Sequence, residues 1–396
     1  MLLSCILAIT SCSSAGATAG PSTAPDASAG SSSAAPAAPS GSASPSPQAS
    51  TTSAAASSFA NLTPVQLAGQ RVIYSFSGTT VPDSLLDLVR EGEVAGVIFF
   101  SGNIPSVDQL QAETKELNAA AAQSPVHLPL LLMTDQEGGQ VRRISGGEPT
   151  QSELSIGESS DPAGEAGEAG TGAAQTLSSA GLNVNLAPVL DVYAVPGNFD
   201  DQYGRSYSSD PNVVSNAGAA FITAQQKAGV AATAKHFPGL GTASTDEDTD
   251  NVPVTLDEPL SQLRAVDELP YQSAISVGVD LIMVSWAVYP AFDPNHPAGM
   301  STAVVQQELR GRLGYTGVTI TDALEAKALN AYGSPGERAV DSASAGMDLL
   351  LCSSGSVSQG QEATDALASA LEGGQLSNSS FDAAVSRIDA LRQKLS

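Results

Sequence analysis

Cations are scarce in this chain. Its 396 residues carry 16 Lys and Arg against 41 Asp and Glu, a net charge of −25. Nucleic acid needs a basic face and anionic lipid headgroups need local positive charge, so neither is an expected partner. Cysteine is rare: Cys5, Cys12 and Cys352 are too few and too scattered for a disulfide framework. Histidine is rarer in context, because His127, His236 and His296 lie far apart and none pairs with Cys at metal-ligand spacing. No metal and no cofactor is therefore expected. No G-x-G-x-x-G or Walker pattern follows any apolar run, which argues against nucleotide binding. Long hydrophobic runs are missing as well. The apolar opening, MLLSCILAITSCSS, is far too short to span a bilayer as a helix.

That opening reads instead as the hydrophobic region of a secretory signal. It lacks a basic n-region, so a start upstream of this Met is expected. Ile9-Thr10-Ser11-Cys12 resembles a bacterial lipobox, in which Cys12 takes a diacylglycerol; the alternative is an ordinary signal peptide with an incidental Cys. Residues 13–58 are almost wholly Ser, Ala, Gly, Pro and Thr. Such a stretch buries too little apolar surface to offset its ordering entropy, and a disordered linker is expected. The expected division is thus 1–12 signal with Cys12, 13–58 linker, and 59–396 a folded domain. That domain would be secreted, or lipid-anchored at the outer face of the cell membrane.

From Phe59 onward the pattern changes. Thr63-Pro64 reads as an N-cap followed by the first helical residue. Eight short apolar, β-branched runs then alternate with amphipathic stretches: 71–78, 94–102, 128–135, 182–191, 229–237, 280–288, 317–324 and 345–353. Continuous apolar strands alternating with helices imply a parallel sheet covered on both faces. Eight such units predict a single (β/α)8 barrel, whose chemistry belongs at the C-terminal strand ends. Polar residues gather there: Asp135 and the following Gln136-Glu137-Gly138-Gly139, Asp191, Arg205 beyond it, Lys235-His236, Ser285-Trp286 and Asp322. Any one of these could be a cap or a loop ion pair, but their shared end is not explained that way.

The segments MTDQEGGQVRRI, LNVNLAPVLDV, YGRSY, AKHFPGLG, PAGMSTAVVQQELRGRLGYTGVTITDAL and AGMDLLL resemble glycoside hydrolase family 3, in family order, from about Leu62 to Ser396. They look most like its bacterial β-N-acetylglucosaminidases. The resemblance implies retaining hydrolysis of a β-linked sugar, with Asp322 in Thr-Asp-Ala-Leu as nucleophile. It places Asp135, Arg205, Lys235 and His236 where sugar hydroxyls are gripped. A carboxylate and a cation can fix adjacent hydroxyls bidentately, since each hydroxyl both donates and accepts. Arg143 matches the end of the D-Q-E-G-G motif, and ordering of its loop is the expected role. Trp286 is either a stacking platform or rim packing. His127 and His296 receive no role.

One departure matters. Where the family's β-N-acetylglucosaminidases carry Asp-Ser/Thr-His, this chain has Asp248-Thr249-Asp250, so the acid/base His is replaced by Asp; Leu240 stands where the family commonly has His. Asp250 or Glu247 could act as the acid, the donor could come from elsewhere, or hydrolysis could be lost and sugar binding kept. The leading expectation is an active enzyme, a monomer, taking a β-linked amino-sugar oligosaccharide or muropeptide, with Asp248 as the anion beside a protonated Asp250. The alternatives are a β-glucosidase-like hydrolase and a carbohydrate-binding barrel.

Overall fold

The computed structural model of the protein describes residues 61–396. The expected signal, Cys12 and the whole of the linker lie outside the described residues. Eight parallel strands close into a barrel in chain order: β1 (Val72–Tyr74), β2 (Gly96–Ile98), β3 (Leu131–Thr134), β4 (Val184–Asn185), β5 (Ala231–Phe237), β6 (Leu281–Val284), β7 (Val318–Ala323) and β8 (Leu349–Leu351), with β8 pairing back to β1. Each lies within the run expected for it, and helices separate them. Among the described residues no helix is long and apolar enough to cross a membrane.

The ladders are shorter than the apolar runs. LNVNLAPVLD pairs regularly only at Val184 and Asn185, and Val189 makes an isolated bridge to Lys235. Pro188 has no N–H to donate, so the ladder cannot continue through it. The amphipathic stretch 259–278 is likewise interrupted. A wide π turn at Leu263–Asp267 precedes the helix Leu269–Ser276, where Pro270 would break a regular hydrogen-bond ladder.

Local signals account for the helix ends. Thr63 caps Pro64–Gly69 in a reciprocal box with Gln66, and Ser334 does the same with Glu337 for Pro335–Ala345. The helices Pro162–Ser179 and Pro211–Lys227 approach closely because Gly170 has no side chain. A Cβ there would stand 2.4 Å from the Phe221 carbonyl oxygen.

Side chains alternate along each strand, and the barrel interior follows that period of two. Ile73, Leu131, Met133, Val184, Ala231, Leu281, Met283, Val318, Ile320, Leu349 and Leu351 pack together inside. The N-terminal end is closed by charge pairing rather than chemistry. Asp348, in AGMDLLL, is fully buried and holds Arg310 at 2.6 Å and Arg387 at 2.7 Å.

Candidate active site

The same alternation places polar groups at the other end. Continuing the inward series of β3 (131, 133) gives Asp135; that of β5 (231, 233) gives Lys235; that of β7 (318, 320) gives Asp322. All three line a cavity of about 620 Å³ at the C-terminal strand ends. Ile98, Leu186, Met283 and Leu351, from the ends of β2, β4, β6 and β8, are among its apolar members. β3, β5 and β7 thus deliver the charges and the even strands apolar surface, as layered barrel interiors allow.

The charges form a chain of alternating sign. Arg143 Nε lies 3.5 Å from Asp135, whose other oxygen accepts from Lys235 Nζ at 2.9 Å. Lys235 also reaches Glu137 at 2.7 Å. Arg205 grips Glu137 bidentately at 2.9 and 3.0 Å and donates to Asp200 at 2.9 Å. Glu137 sits here because Gln136–Gly138 pairs with Val141–Arg142 as a hairpin immediately after β3. Burial alone would raise the Glu137 pKa, but Arg205 and Lys235 outweigh it and hold the carboxylate well below its usual range. Asp135 is lowered too: burial opposes its ionisation, and Lys235 and Arg143 overcome that. Burial likewise disfavours charge on Lys235, yet Asp135 and Glu137 raise its pKa and keep it an ammonium.

His236 is set by Asp191. Nδ1 lies 2.7 Å from Asp191 Oδ2, and the other Asp191 oxygen accepts from the His236 and Leu240 amides at 3.2 and 2.7 Å. An Nδ1–H donor leaves Nε2 as an acceptor. Burial pushes the imidazole pKa down to about 4, so the ring is neutral near pH 7. The Lys235–His236 and Phe237–Pro238 bonds are cis. Behind this pair lies Asp200, fully buried; its burial and the neighbouring Asp191 push its pKa up to about 7 despite Arg205. Asp191, Asp200 and His236 present atoms within 4.8 Å of one another, so they could reach a common cation. Asp191 and the imidazole Nδ1 are already engaged, and Asp200 retains one oxygen without a partner.

The acid loop after β5 is docked on the loop after β7. The amides of Lys327 and Ala328 donate to the carbonyls of Asp250 and Thr249 at 3.1 and 3.2 Å, and Lys327 Nζ donates to Asn251 at 3.0 Å. Asp248 accepts from the Asp250 amide at 2.9 Å and from the Asn251 side chain at 2.6 Å. Asp250 is directed into the shared cavity. Partial desolvation by the cavity, then the nearby Asp322, Asp248 and Glu325, push its pKa up to about 7. Asp322 accepts from its neighbouring Ala323 amide at 2.7 Å.

Residues 66–391 match the glycosyl hydrolase family 3 N-terminal domain. The chain belongs to glycosyl hydrolase family 3. It is 47% identical over 331 residues to an uncharacterised secreted glycosyl hydrolase of Arthroderma benhamiae, covering 83% of this chain and 93% of that protein. It is 32% identical to β-hexosaminidase A of Pseudoalteromonas piscicida, covering 84% of this chain and 62% of that one. The solved family 3 β-N-acetylglucosaminidase of Paenibacillus sp. str. FPU-7 superposes with a TM-score of 0.80 at 36% identity, covering 84% of this chain and 63% of that one. The chain thus spans somewhat less than two thirds of the last two proteins.

In this family 3 chain the cavity brings together Asp135, Arg143, Arg205, Lys235, His236, Asp248, Asp250 and Asp322. It leaves out Glu247, which caps its own turn by accepting from the Ser244 amide at 2.7 Å. Of the two readings of Trp286, packing holds: the ring is 1% exposed, it fills the space beside Gly299, and its indole N–H donates to the Ala323 carbonyl at 2.9 Å. Sequence reasoning assigned no role to Glu137, Asp191, Asp200 or Glu325. Asp135 and Glu137 are two apart, which on a strand is one face, and that spacing was the available signal. Nothing local marks Asp200, whose partner Arg205 is fixed by the path of a loop. Glu325 also lines the cavity, but its carboxylate is anchored by the Ser353 hydroxyl at 2.6 Å and Gln359 at 3.0 Å.

Proposed function

We propose that this family 3 chain is an extracytoplasmic, retaining β-N-acetylhexosaminidase that removes terminal β-linked N-acetylglucosamine from oligosaccharides. Asp322 is the nucleophile and Asp250 the acid/base. The observation that carries this reading is the placement of Asp250 and Asp322 in one cavity, with the Asp250 pKa raised in part by Asp322. Support for the sugar comes from the relatives named for hexosamine substrates, and for the location from the relative named as secreted. We assign catalysis to residues 59–396, export to residues 1–12 with Cys12 as the lipid site, and a linker role to 13–58.

The terminal sugar enters with its hydroxyls toward Asp135, Arg205, Lys235 and His236. Asp135 accepts, Lys235 and Arg205 donate, and His236 Nε2 accepts. Arg143 holds the hairpin beside Asp135. Asp322 then attacks the anomeric carbon while Asp250 transfers its proton to the glycosidic oxygen, and the leaving sugar departs as the alcohol. The product is a glycosyl ester on Asp322. Esterification removes the Asp322 charge and with it one cause of the raised Asp250 pKa. Asp250 therefore holds a proton less tightly, and stays ionised, just when a base is needed. It takes a proton from water, whose oxygen attacks the anomeric carbon and releases Asp322. Asp248, fixed by two hydrogen bonds, remains the anion that favours the protonated form of Asp250 in the first step.

The experiment is covalent trapping. A 5-fluoro N-acetylglucosaminyl donor with a good leaving group should add one sugar mass to the peptide containing Asp322. Label on another carboxylate of an active protein, or turnover confined to aryl β-glucosides, would overturn the reading.

A further inference from the structure

We propose a second sugar subsite at the mouth of the cavity, built on the ring of Tyr203 and facing the carboxylates Asp248 and Asp250, that accepts an uncharged or ammonium-bearing hexosamine as the leaving group. It rests on the function proposed above and names the class of sugar on the far side of the scissile bond.

Tyr203 lines the cavity, yet its side chain is 44% exposed. An exposed ring of this size needs a reason, because other large aromatic side chains here, such as Trp286, Tyr207, Tyr271 and Tyr289, are buried. Among the described residues the exposed large apolar side chains are Val195, Tyr203, Val252 and Val277. Three of these four stand on the two loops that frame the mouth, the one after β4 and the acid loop after β5. The ring meets Phe199 edge-on, with centroids 6.4 Å apart at 85°. An edge contact fixes the ring and leaves its face free to receive the C–H face of a sugar.

The mounting is preorganised. The Tyr203 carbonyl accepts from Gln140 of the β3 hairpin at 3.3 Å, and its amide donates to the Asp200 carbonyl at 3.1 Å. Gln202 ties the loop to Thr245 at 3.1 Å, and Asn198 ties it to Gly241 at 2.6 Å. A platform held this way loses little freedom on binding. Depth decides which sugar it meets. The Lys235 and Asp135 side chains are only 3% and 13% exposed, so the terminal ring lies deep and the next ring emerges at the level of Tyr203.

Charge decides which sugar is tolerated. At physiological salt a charge is felt over about 8 Å. With Asp250 protonated, the cavity lining still sets the acids Asp135, Glu137, Asp248, Asp322 and Glu325 against the cations Arg143, Arg205, Lys235 and Lys327, so a carboxylate on the leaving sugar meets an excess of acidic side chains. A muramic acid ring carries such a group as its lactyl ether; glucosamine and N-acetylglucosamine do not.

The test compares substrates sharing one terminal N-acetylglucosamine: the β-azide, which has no second ring, diacetylchitobiose, the disaccharide ending in glucosamine, and the disaccharide ending in N-acetylmuramic acid. Tyr203→Ala should lower the diacetylchitobiose-to-azide ratio of kcat/KM about tenfold, chiefly through KM, and Tyr203→Phe should restore it. In the unmutated protein the muramic acid disaccharide should react at least about tenfold more slowly than the other two disaccharides, with the gap narrowing at high salt. An unchanged ratio in Tyr203→Ala, or equal turnover of the muramic acid substrate, would overturn the subsite. Failure to turn over the azide at all would instead count against the parent reading.

Discussion

The backbone carbonyl of Asp250 accepts a hydrogen bond from the amide of Lys327, 3.1 Å away, and so ties the acid loop to the segment that begins at Asp322. Two carboxylates that are 72 positions apart in the chain thereby share one cavity. Desolvation in the cavity first, and then repulsion from Asp322, push the Asp250 pKa up to about 7.

The pH profile should report that proton. With the Asp250 pKa raised from 3.8 to about 7, kcat/KM is expected to fall as pH rises through about 7. For stability the sign is the same. A raised folded-state pKa favours folding fully below the unfolded value, and that contribution is lost as pH rises through the folded one. In Asp322→Asn the second cause of the shift is gone, and the Asp250 resonance should titrate at lower pH by carbon NMR. An unmoved titration would separate the two residues electrostatically.

Asp250→Ala should be severe for substrates with poor leaving groups and mild for dinitrophenyl glycosides, which need no protonation. Added azide should then accelerate turnover of the dinitrophenyl substrate. Asp322→Asn should lower turnover of both classes by roughly a thousandfold or more, since no covalent path remains. Steady-state rates on the two substrate classes separate the roles.

Glu137→Gln should cost about 3 kcal/mol of folding stability by chemical denaturation, because it leaves the buried Lys235 short of a partner and breaks the fork on Arg205. The native Glu137 pKa is depressed, so its stabilisation is present above the ordinary carboxylate range and is lost as pH falls through the folded value. The variant should therefore show a flatter loss of stability on acidification. A variant as stable as the native protein would mean that the charge chain is not the anchor of the β3 hairpin.

Asp191→Asn replaces one acceptor oxygen at His236 by a donor and turns the imidazole tautomer, so that Nε2 carries the hydrogen. A tenfold to hundredfold loss in kcat/KM is expected, of the order seen when a supporting carboxylate is removed from a working histidine. With the native His236 pKa near 4, no histidine limb should shape the profile between pH 5 and 8. Loss of activity with unchanged ring chemical shifts would point to a different role for Asp191.

Much of the barrel is visible in the chain itself. The eight apolar runs mark the strands, Thr63 and Ser334 with their partners mark helix starts, and the period of two points Asp135, Lys235 and Asp322 inward once a barrel is assumed. These are short-range properties, fixed by backbone sterics and by which side of a strand is apolar. The family motifs belong to the same level. The environment of each charge is a different matter. Trp286 packs instead of stacking because Gly299, in the segment after β6, and the Ala323 carbonyl, at the end of β7, come to it in the fold. Glu137 becomes the centre of the charge chain only when β5 and the loop after β4 bring Lys235 and Arg205 to either side of it. Asp250 remains solvent-exposed in the folded chain, but the β7 loop sets it at the rim of the cavity beside Asp322. Its pKa is then a property of its neighbours, because Coulomb energy and desolvation depend on distances that no local pattern encodes.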